Sequence, residues 1–236
     1  MNAATALLNI EDLHAWYGDS QALFGVSLNV RQGETVTLLG RNGAGKSTTL
    51  RSLVGLVRRR QGSIDLGGTD LMRLPAHRIA RTGLGYVPEE RGIFAGLTVE
   101  ENLRLPPSIN DQGLSLEALY AMFPNLLERR YSAGTQLSGG EQQMLAIARV
   151  LRTGARVLLL DEPTEGLAPV IVQRIGELLL HLKGLGYTLL LVEQNLRFAA
   201  QLADRFYVME HGTVVDSLQR HELDQHAASL HKYLGV

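Results

Sequence analysis

Gly40-Arg41-Asn42-Gly43-Ala44-Gly45-Lys46-Ser47 fits the spacing G-x-x-x-x-G-K-[ST] at every fixed position. Residues of these types at this spacing hold phosphate. The glycines let successive main-chain N–H groups turn inward around phosphate oxygens. A helix starting at the end of the loop adds the positive end of its dipole. Lys46 then reaches the β- and γ-phosphates of a nucleotide, and Ser47 offers a hydroxyl to Mg²⁺. The loop specifies a nucleotide without specifying which one. A second group of chemical residues is Asp161-Glu162, which closes the apolar run Val157-Leu158-Leu159-Leu160. Acids at the carboxyl end of a buried strand stand where ligands bind in open α/β sheets. Asp161 suits Mg²⁺, and Glu162 suits the base that orients and deprotonates water. An Asp-Glu pair after an apolar run is also an ordinary loop feature; the phosphate loop upstream gives it chemical meaning.

These groups need particular elements to hold them. Thr35-Val36-Thr37-Leu38-Leu39 predicts a buried strand leading into the loop, and Thr48 to Gly55 predicts the helix after it. Val157 to Leu160 and Thr188 to Val192 are continuous apolar runs of strand length, as parallel strands covered on both faces require. Upstream, Leu8 to Leu13 and Ala22 to Val30 predict strands, with turns at Trp16-Tyr17-Gly18-Asp19 and Arg31-Gln32-Gly33-Glu34. This is an antiparallel β layer preceding the phosphate-loop strand. Tyr17 is placed either to stack on a base, worth roughly 1–3 kcal/mol, or simply to pack beside the turn. Arg58-Arg59-Arg60 reads as a solvated turn, Ser63 to Leu66 as a short strand, Pro75 to Arg81 as a short helix, and Leu84 to Val87 as a strand. From Thr98 to about Leu137 the pattern turns helical. Thr98 and Glu101 have capping-box spacing, Leu114 to Phe123 and Pro124 to Arg130 read as further helices, and Pro106-Pro107 breaks the run. Ser138 and Glu141 repeat the capping box at the head of a helix that runs to Arg152. Pro169 to Lys183 is another helix; Arg205 to Met209 and Thr213 to Asp216 are late strands, and two short helical segments close the chain. The expected organisation is one α/β domain over residues 1–236, with a core formed by 1–97 and 138–236 and a helical part at about 98–137.

The bulk properties exclude several alternatives. The 236 residues carry a net charge of −1, so no overall field draws the chain to nucleic acid or anionic lipid. Cysteine is absent, which removes disulfides, thiolate metal sites and a Cys nucleophile. Met1 to Asn9 lacks the pattern of a signal peptide. No apolar run approaches the ~18–20 residues that span a bilayer.

Leu137-Ser138-Gly139-Gly140-Glu141-Gln142-Gln143 decides among phosphate-loop proteins. It is similar to the LSGGQ signature of ABC transporter ATPases and stands just ahead of Leu160-Asp161-Glu162-Pro163, as in that family. The chain resembles the nucleotide-binding subunit of ABC transporters over essentially its full length. The N-K-x-D segment of GTP-binding relatives is missing. The resemblance implies ATP and Mg²⁺. It implies Tyr17 as the aromatic that stacks on adenine, and Gly40 to Ser47 with Thr48 as Walker A. Asp161 and Glu162 become the Walker-B acid and the catalytic glutamate, and Glu165-Gly166-Leu167-Ala168 the D-loop. Ser138, Gly139, Gly140 and Glu141 become the signature that meets another chain's ATP. Two such domains form a head-to-tail sandwich, so a chain with one loop and one signature pairs to complete a site.

Two positions depart from the family pattern. Glu89 follows Val87-Pro88 where the Q-loop glutamine stands, near the metal and nucleotide. Gln194 occupies the switch-histidine position, with no histidine between His181 and His211. Gln194 can donate an amide hydrogen bond to a γ-phosphate but cannot carry charge. Together with Val192-Glu193-Gln194-Asn195 and Asp161 to Pro169, these features resemble the F-type ATPase of bacterial branched-chain amino-acid importers. That implies an α/β P-loop ABC ATPase fold and a peripheral position on the cytoplasmic face of the inner membrane. It implies a second, different ATPase subunit as heterodimer partner, two permease chains, and a periplasmic solute-binding protein. Importers of urea, amides or aromatic acids are similar, and a non-transport ABC ATPase is the remaining alternative.

Overall fold

The computed structural model describes residues 6–223 together with Gln225, His226, Leu230 and Tyr233. Two sheets are present. β1 (Ala6–Tyr17) and β2 (Ser20–Arg31) form a hairpin, and β4 (Arg59–Leu66) and β5 (Thr69–Asp70) extend it into an antiparallel sheet of order β2-β1-β4-β5. The second sheet contains β3 (Thr35–Leu39), β6 (Leu84–Val87), β7 (Val157–Asp161), β8 (Thr188–Glu193), β9 (Arg205–Glu210) and β10 (Thr213–Gln219). Its order is β10-β9-β3-β8-β7-β6, parallel except for β10 against β9.

The central strands are apolar on both faces because both faces are covered. Side chains alternate across a strand, and here they alternate between two cores. Leu159, Leu190 and Val192 join the core shared with the antiparallel sheet. Leu158, Leu160, Leu189 and Leu191 join the core beneath the helices on the other face. Those helices include α6 (Gly139–Thr153) and α7 (Pro169–Gly184). The remaining helices are α1 (Lys46–Leu53), α2 (Ala76–Ile79), α3 (Val99–Arg104), α4 (Leu116–Met122), α5 (Pro124–Glu128) and α8 (Leu196–Leu202). Among the described residues no helix is long and apolar enough to cross a membrane.

Both expected capping boxes form. Thr98 and Glu101 close the start of α3, and Ser138 and Glu141 the start of α6. Satisfying orphan N–H groups this way fixes where each helix begins. The fold departs from the sequence reading in a few places. Trp16 and Tyr17 belong to β1 rather than to a turn, because the hairpin closes on Gly18-Asp19 alone, with Tyr17 opposite Ser20. Arg59 and Arg60 open β4 instead of forming a solvated turn. Arg59 lies over the Trp16 ring, and Arg60 reaches back to the carbonyls of Ser52 and Leu71. A cation at a strand end can bury its stem and still satisfy its head group, a choice composition does not reveal. α2 begins at Ala76 with Pro75 outside it, and α8 is additional to the elements expected. At the chain's end the described part holds a 3₁₀ turn at Arg220–Glu222; the two expected helical segments fall largely outside the described residues.

Candidate functional site

Strand order assembles the site. β3, β8 and β7 are neighbours, with Leu39 opposite Glu193 and Asp161 opposite Val192. The loops leaving their carboxyl ends therefore lie side by side: the phosphate loop, Gln194 and Glu162. The loop is pressed closely onto the β9–β10 turn. A Cβ on Gly40 would sit 2.5 Å from the Met209 carbonyl oxygen, and one on Gly45, at φ +103, would sit 2.8 Å from Leu23. Only glycine allows that approach and that backbone.

A cleft of about 580 Å³ opens there, lined by Asn42, Gly43, Gly45, Lys46, Ser47 and Thr48 on one side and Glu89, Glu162 and Glu165 on another. This size suits a small-molecule ligand. Lys46 is 3% exposed, and its ammonium is met by polar groups. Its Nζ donates to the carbonyls of Gly40 at 2.9 Å and Arg41 at 3.2 Å and pairs with Glu162 Oε1 at 3.2 Å. Gln194 Nε2 donates to Asn42 Oδ1 at 2.6 Å and to the two Glu162 oxygens at 3.1 and 3.0 Å. Glu162 has φ +46, a setting that costs a non-glycine residue roughly 1–3 kcal/mol. A strained residue gripped by a cation and an amide is a preorganised carboxylate.

The neighbouring acid is held separately. Ser47 Oγ donates to Asp161 Oδ1 at 2.8 Å, and Tyr86 OH to Oδ2 at 3.0 Å. Burial pushes the Asp161 carboxyl up, against those two hydrogen bonds. Glu89 is also raised, first by desolvation and then by the charges of Glu162 and Asp161. Asp161, Glu162 and Glu89 stand close enough for their charges to couple, which disfavours further negative charge unless cations neutralise it. Among the described residues no group of three or more His, Cys, Asp or Glu side chains is arranged to hold a metal. A hydroxyl beside a carboxylate is instead the sparse, hard-oxygen donor set that suits Mg²⁺ sharing its sphere with water and phosphate.

The remaining predicted residues divide. Arg41 and Ala44 flank the loop on its outer side, beside His211. Tyr17, 49% exposed, is not among the residues lining the cleft. Ser138, Gly139, Gly140 and Glu141 also lie off the cleft, at the start of α6. The loop carrying Glu89 is tied to that helix: Arg91 donates to Gln142 Oε1 at 2.9 Å, and Arg149 to the Gly92 carbonyl at 2.5 Å. Phe24 and His211 line the cleft without having been singled out in the sequence. Phe24 is the residue of β2 whose large side chain stays 48% exposed, and its N–H donates to the Gly212 carbonyl at 2.8 Å. Its place in an otherwise alternating strand gave no chemical signal. His211, in the β9–β10 turn, reaches the cleft only because that turn packs on the phosphate loop.

The ABC transporter family profile matches residues 23–165. The chain is 45% identical to the Pseudomonas aeruginosa high-affinity branched-chain amino acid transport ATP-binding protein BraG, over 89% of this chain and 91% of that one. It is 37% identical to the Archaeoglobus fulgidus probable branched-chain amino acid transport ATP-binding protein LivF, over 93% and 95% of the two chains. It is also 37% identical to the Escherichia coli lipopolysaccharide export system ATP-binding protein LptB, over 98% of each. The crystal structure of an ADP-bound ATP-binding cassette of an ABC transporter superposes with a TM-score of 0.81, at 24% identity and 98% coverage of both chains.

Proposed function

This chain belongs to the ABC transporter family as an ATP-binding and ATP-hydrolysing subunit, and from that premise we propose that it energises the import of branched-chain amino acids. The observation that carries the mechanism is the chain of contacts Lys46–Glu162–Gln194–Asn42 across the phosphate loop. ATP enters with its triphosphate on the N–H groups of the loop. Lys46 exchanges Glu162 for the β- and γ-phosphate oxygens, and Glu162 is left facing the γ-phosphate. Glu162 orients a water, whose oxygen attacks the γ-phosphorus as the bond to the β,γ-bridging oxygen breaks. Glu162 takes the proton, and ADP and phosphate result. Gln194, already within reach of Asn42 and Glu162, donates its amide to the γ-phosphate in place of a cationic histidine. Ser47 and Asp161 would hold Mg²⁺, with Glu89 at the same edge; bound there, the ion neutralises charge on the β- and γ-oxygens.

The signature residues lie off this chain's own cleft, which supports a composite site: each ATP sits between one chain's phosphate loop and the N-terminus of another chain's signature helix. The partner of this reading is a second, different ATPase subunit. Tyr17 is assigned to the adenine ring, a task that brings it toward the cleft when nucleotide is bound. The helical part at about 98–137 is the portion assigned to the permease, and Asn102 of α3 ties it to the loop after Glu89 by accepting from the Phe94 N–H at 2.8 Å. This chain would sit on the cytoplasmic face of the inner membrane beneath two permease chains, with a solute-binding protein on the periplasmic side. Urea, amides and aromatic acids are the alternative solutes, because selectivity lies in other chains.

Reconstitution in vesicles tests the proposal. ATP-driven accumulation of leucine, stimulated by the binding protein and absent without this chain, is the expected result. Uptake of urea or an aromatic acid with no response to leucine would reassign the solute, and assembly without permeases would end the transport reading.

A further inference from the structure

Glu193 has no task in the chemistry above, yet it is buried to 3% exposure at the end of β8. A carboxyl group out of water is costly unless its oxygens are satisfied. Thr164 Oγ1 donates to Glu193 Oε1 at 2.8 Å, and the main-chain N–H groups of Gln194 and Asn195 face the same carboxyl. Thr164 is 8% exposed and follows Glu162 by two residues. Gln194, next to Glu193 in the chain, donates to both oxygens of Glu162. Glu193 therefore touches both segments that place Glu162. That residue needs holding: its φ is +46, and its N–H donates to the Val192 carbonyl at 3.0 Å. The turn beyond it is closed by Glu165 N–H to the Glu162 carbonyl at 3.1 Å.

We infer that Glu193 is a positioning residue for hydrolysis: through Thr164 and through the main chain of Gln194 it keeps Glu162 in its left-handed setting, with its carboxylate in one orientation toward the attacking water. An apolar side chain at 193 would fill the space but orphan the Thr164 hydroxyl and free the turn. The inference rests on Glu162 as the general base. It concerns rate and not nucleotide affinity, because neither Glu193 nor Thr164 lines the cleft.

The test is steady-state ATP hydrolysis by the full chain assembled with its partner ATPase subunit, with binding of a non-hydrolysable ATP analogue measured alongside. Glu193→Ala and Thr164→Val are expected to lower kcat by about 10- to 100-fold, the cost of a misplaced catalytic group, with KM and analogue affinity within about twofold. The double variant should be no slower than Glu193→Ala, because both changes remove one contact. Glu193→Gln keeps an acceptor for Thr164 and should restore at least about a third of the wild-type rate, less than 1 kcal/mol of barrier. Wild-type kcat in Thr164→Val, a Glu193→Gln enzyme as slow as Glu193→Ala, or a raised KM at unchanged kcat would each overturn the inference. If Glu193→Ala fails to fold, Thr164→Val and Glu193→Gln still decide. Glu162→Gln separates the two levels. Full turnover in that variant removes the general base itself, whereas a dead Glu162→Gln beside a fully active Thr164→Val removes only the role of Glu193.

Discussion

Lys46 Nζ lies 3.2 Å from Glu162 Oε1, with side chains 3% and 10% exposed, so the cation proposed to bind phosphate and the carboxylate proposed as general base hold each other. The pairing lets Lys46 be buried at all, since an unpaired ammonium in that position would lose its charge or its place. It also means that the incoming phosphate competes with a carboxylate for the same ammonium.

Lys46→Ala should therefore weaken ATP binding by about 100-fold or more, the loss of charged hydrogen bonds to two phosphates. Equilibrium titration with a fluorescent nucleotide measures it. Unchanged affinity would mean that the loop does not hold triphosphate.

Glu162→Gln keeps the shape of the side chain and the Gln194 contact but removes the base. Nucleotide affinity should be retained, or should rise as competition for Lys46 ends. Phosphate release should fall by about 100- to 10,000-fold, the usual contribution of general base catalysis. Single-turnover phosphate release is the measurement, and a wild-type rate would transfer the role elsewhere.

Gln194 donates to Glu162 without carrying a proton of its own to titrate. Gln194→Ala should slow hydrolysis by about tenfold, one hydrogen bond to a charged group, with little change in nucleotide affinity. Gln194→His should bring a new inflection in the pH–rate profile at about 6.5, the ordinary value for imidazole. A profile identical to wild type would show that position 194 does not contact the reacting groups.

The Glu193 carboxyl is pushed up to about 7 from an ordinary 4.5, first by burial, with the nearby Glu162 charge acting in the same direction. Hydrogen bonds from Thr164, Asn195 and Gln194 oppose the rise without cancelling it. The folded state then binds a proton that the unfolded chain has released. This group's contribution to stability is largest below its unfolded value and falls as pH rises from about 4.5 to about 7, by up to about 3 kcal/mol. Glu193→Gln should flatten that decline and exceed wild type in stability at about pH 8. Asp161 and Glu89 are raised too, but they remain in the variant, so the difference isolates Glu193. Thermal melts across pH give the answer, and parallel wild-type and variant curves would contradict a Glu193 carboxyl raised by burial.

Some of this protein was legible in the sequence because the physics involved is local. A phosphate loop needs only a strand, glycines and a helix start in immediate succession. A capping box needs a serine or threonine three residues before a glutamate, and both expected boxes form, at Thr98–Glu101 and Ser138–Glu141. Buried parallel strands announce themselves by unbroken apolar runs, so β3, β7 and β8 were placed to within a residue or so. The misread stretches were ones where a distant partner decides the conformation. Arg59 and Arg60 look like a solvated turn until Trp16, Ser52 and Leu71 are brought against them.

By itself the sequence determined the fold class, the two acids at the end of β7, and the substitution of glutamine and glutamate where histidine and glutamine are customary. Only the tertiary structure decided which of these groups touch. Gln194 meets Asn42 across 152 residues and Glu162 across 32, and Thr164 meets Glu193 across 29. His211 and Phe24 reach the cleft from opposite ends of the chain. The reason is strand order. Runs such as Thr35–Leu39, Val157–Asp161 and Thr188–Glu193 are chemically alike, and nothing within them says which will be neighbours. The folded sheet has the order β3-β8-β7, and that order sets Lys46, Glu162 and Gln194 within reach of one another.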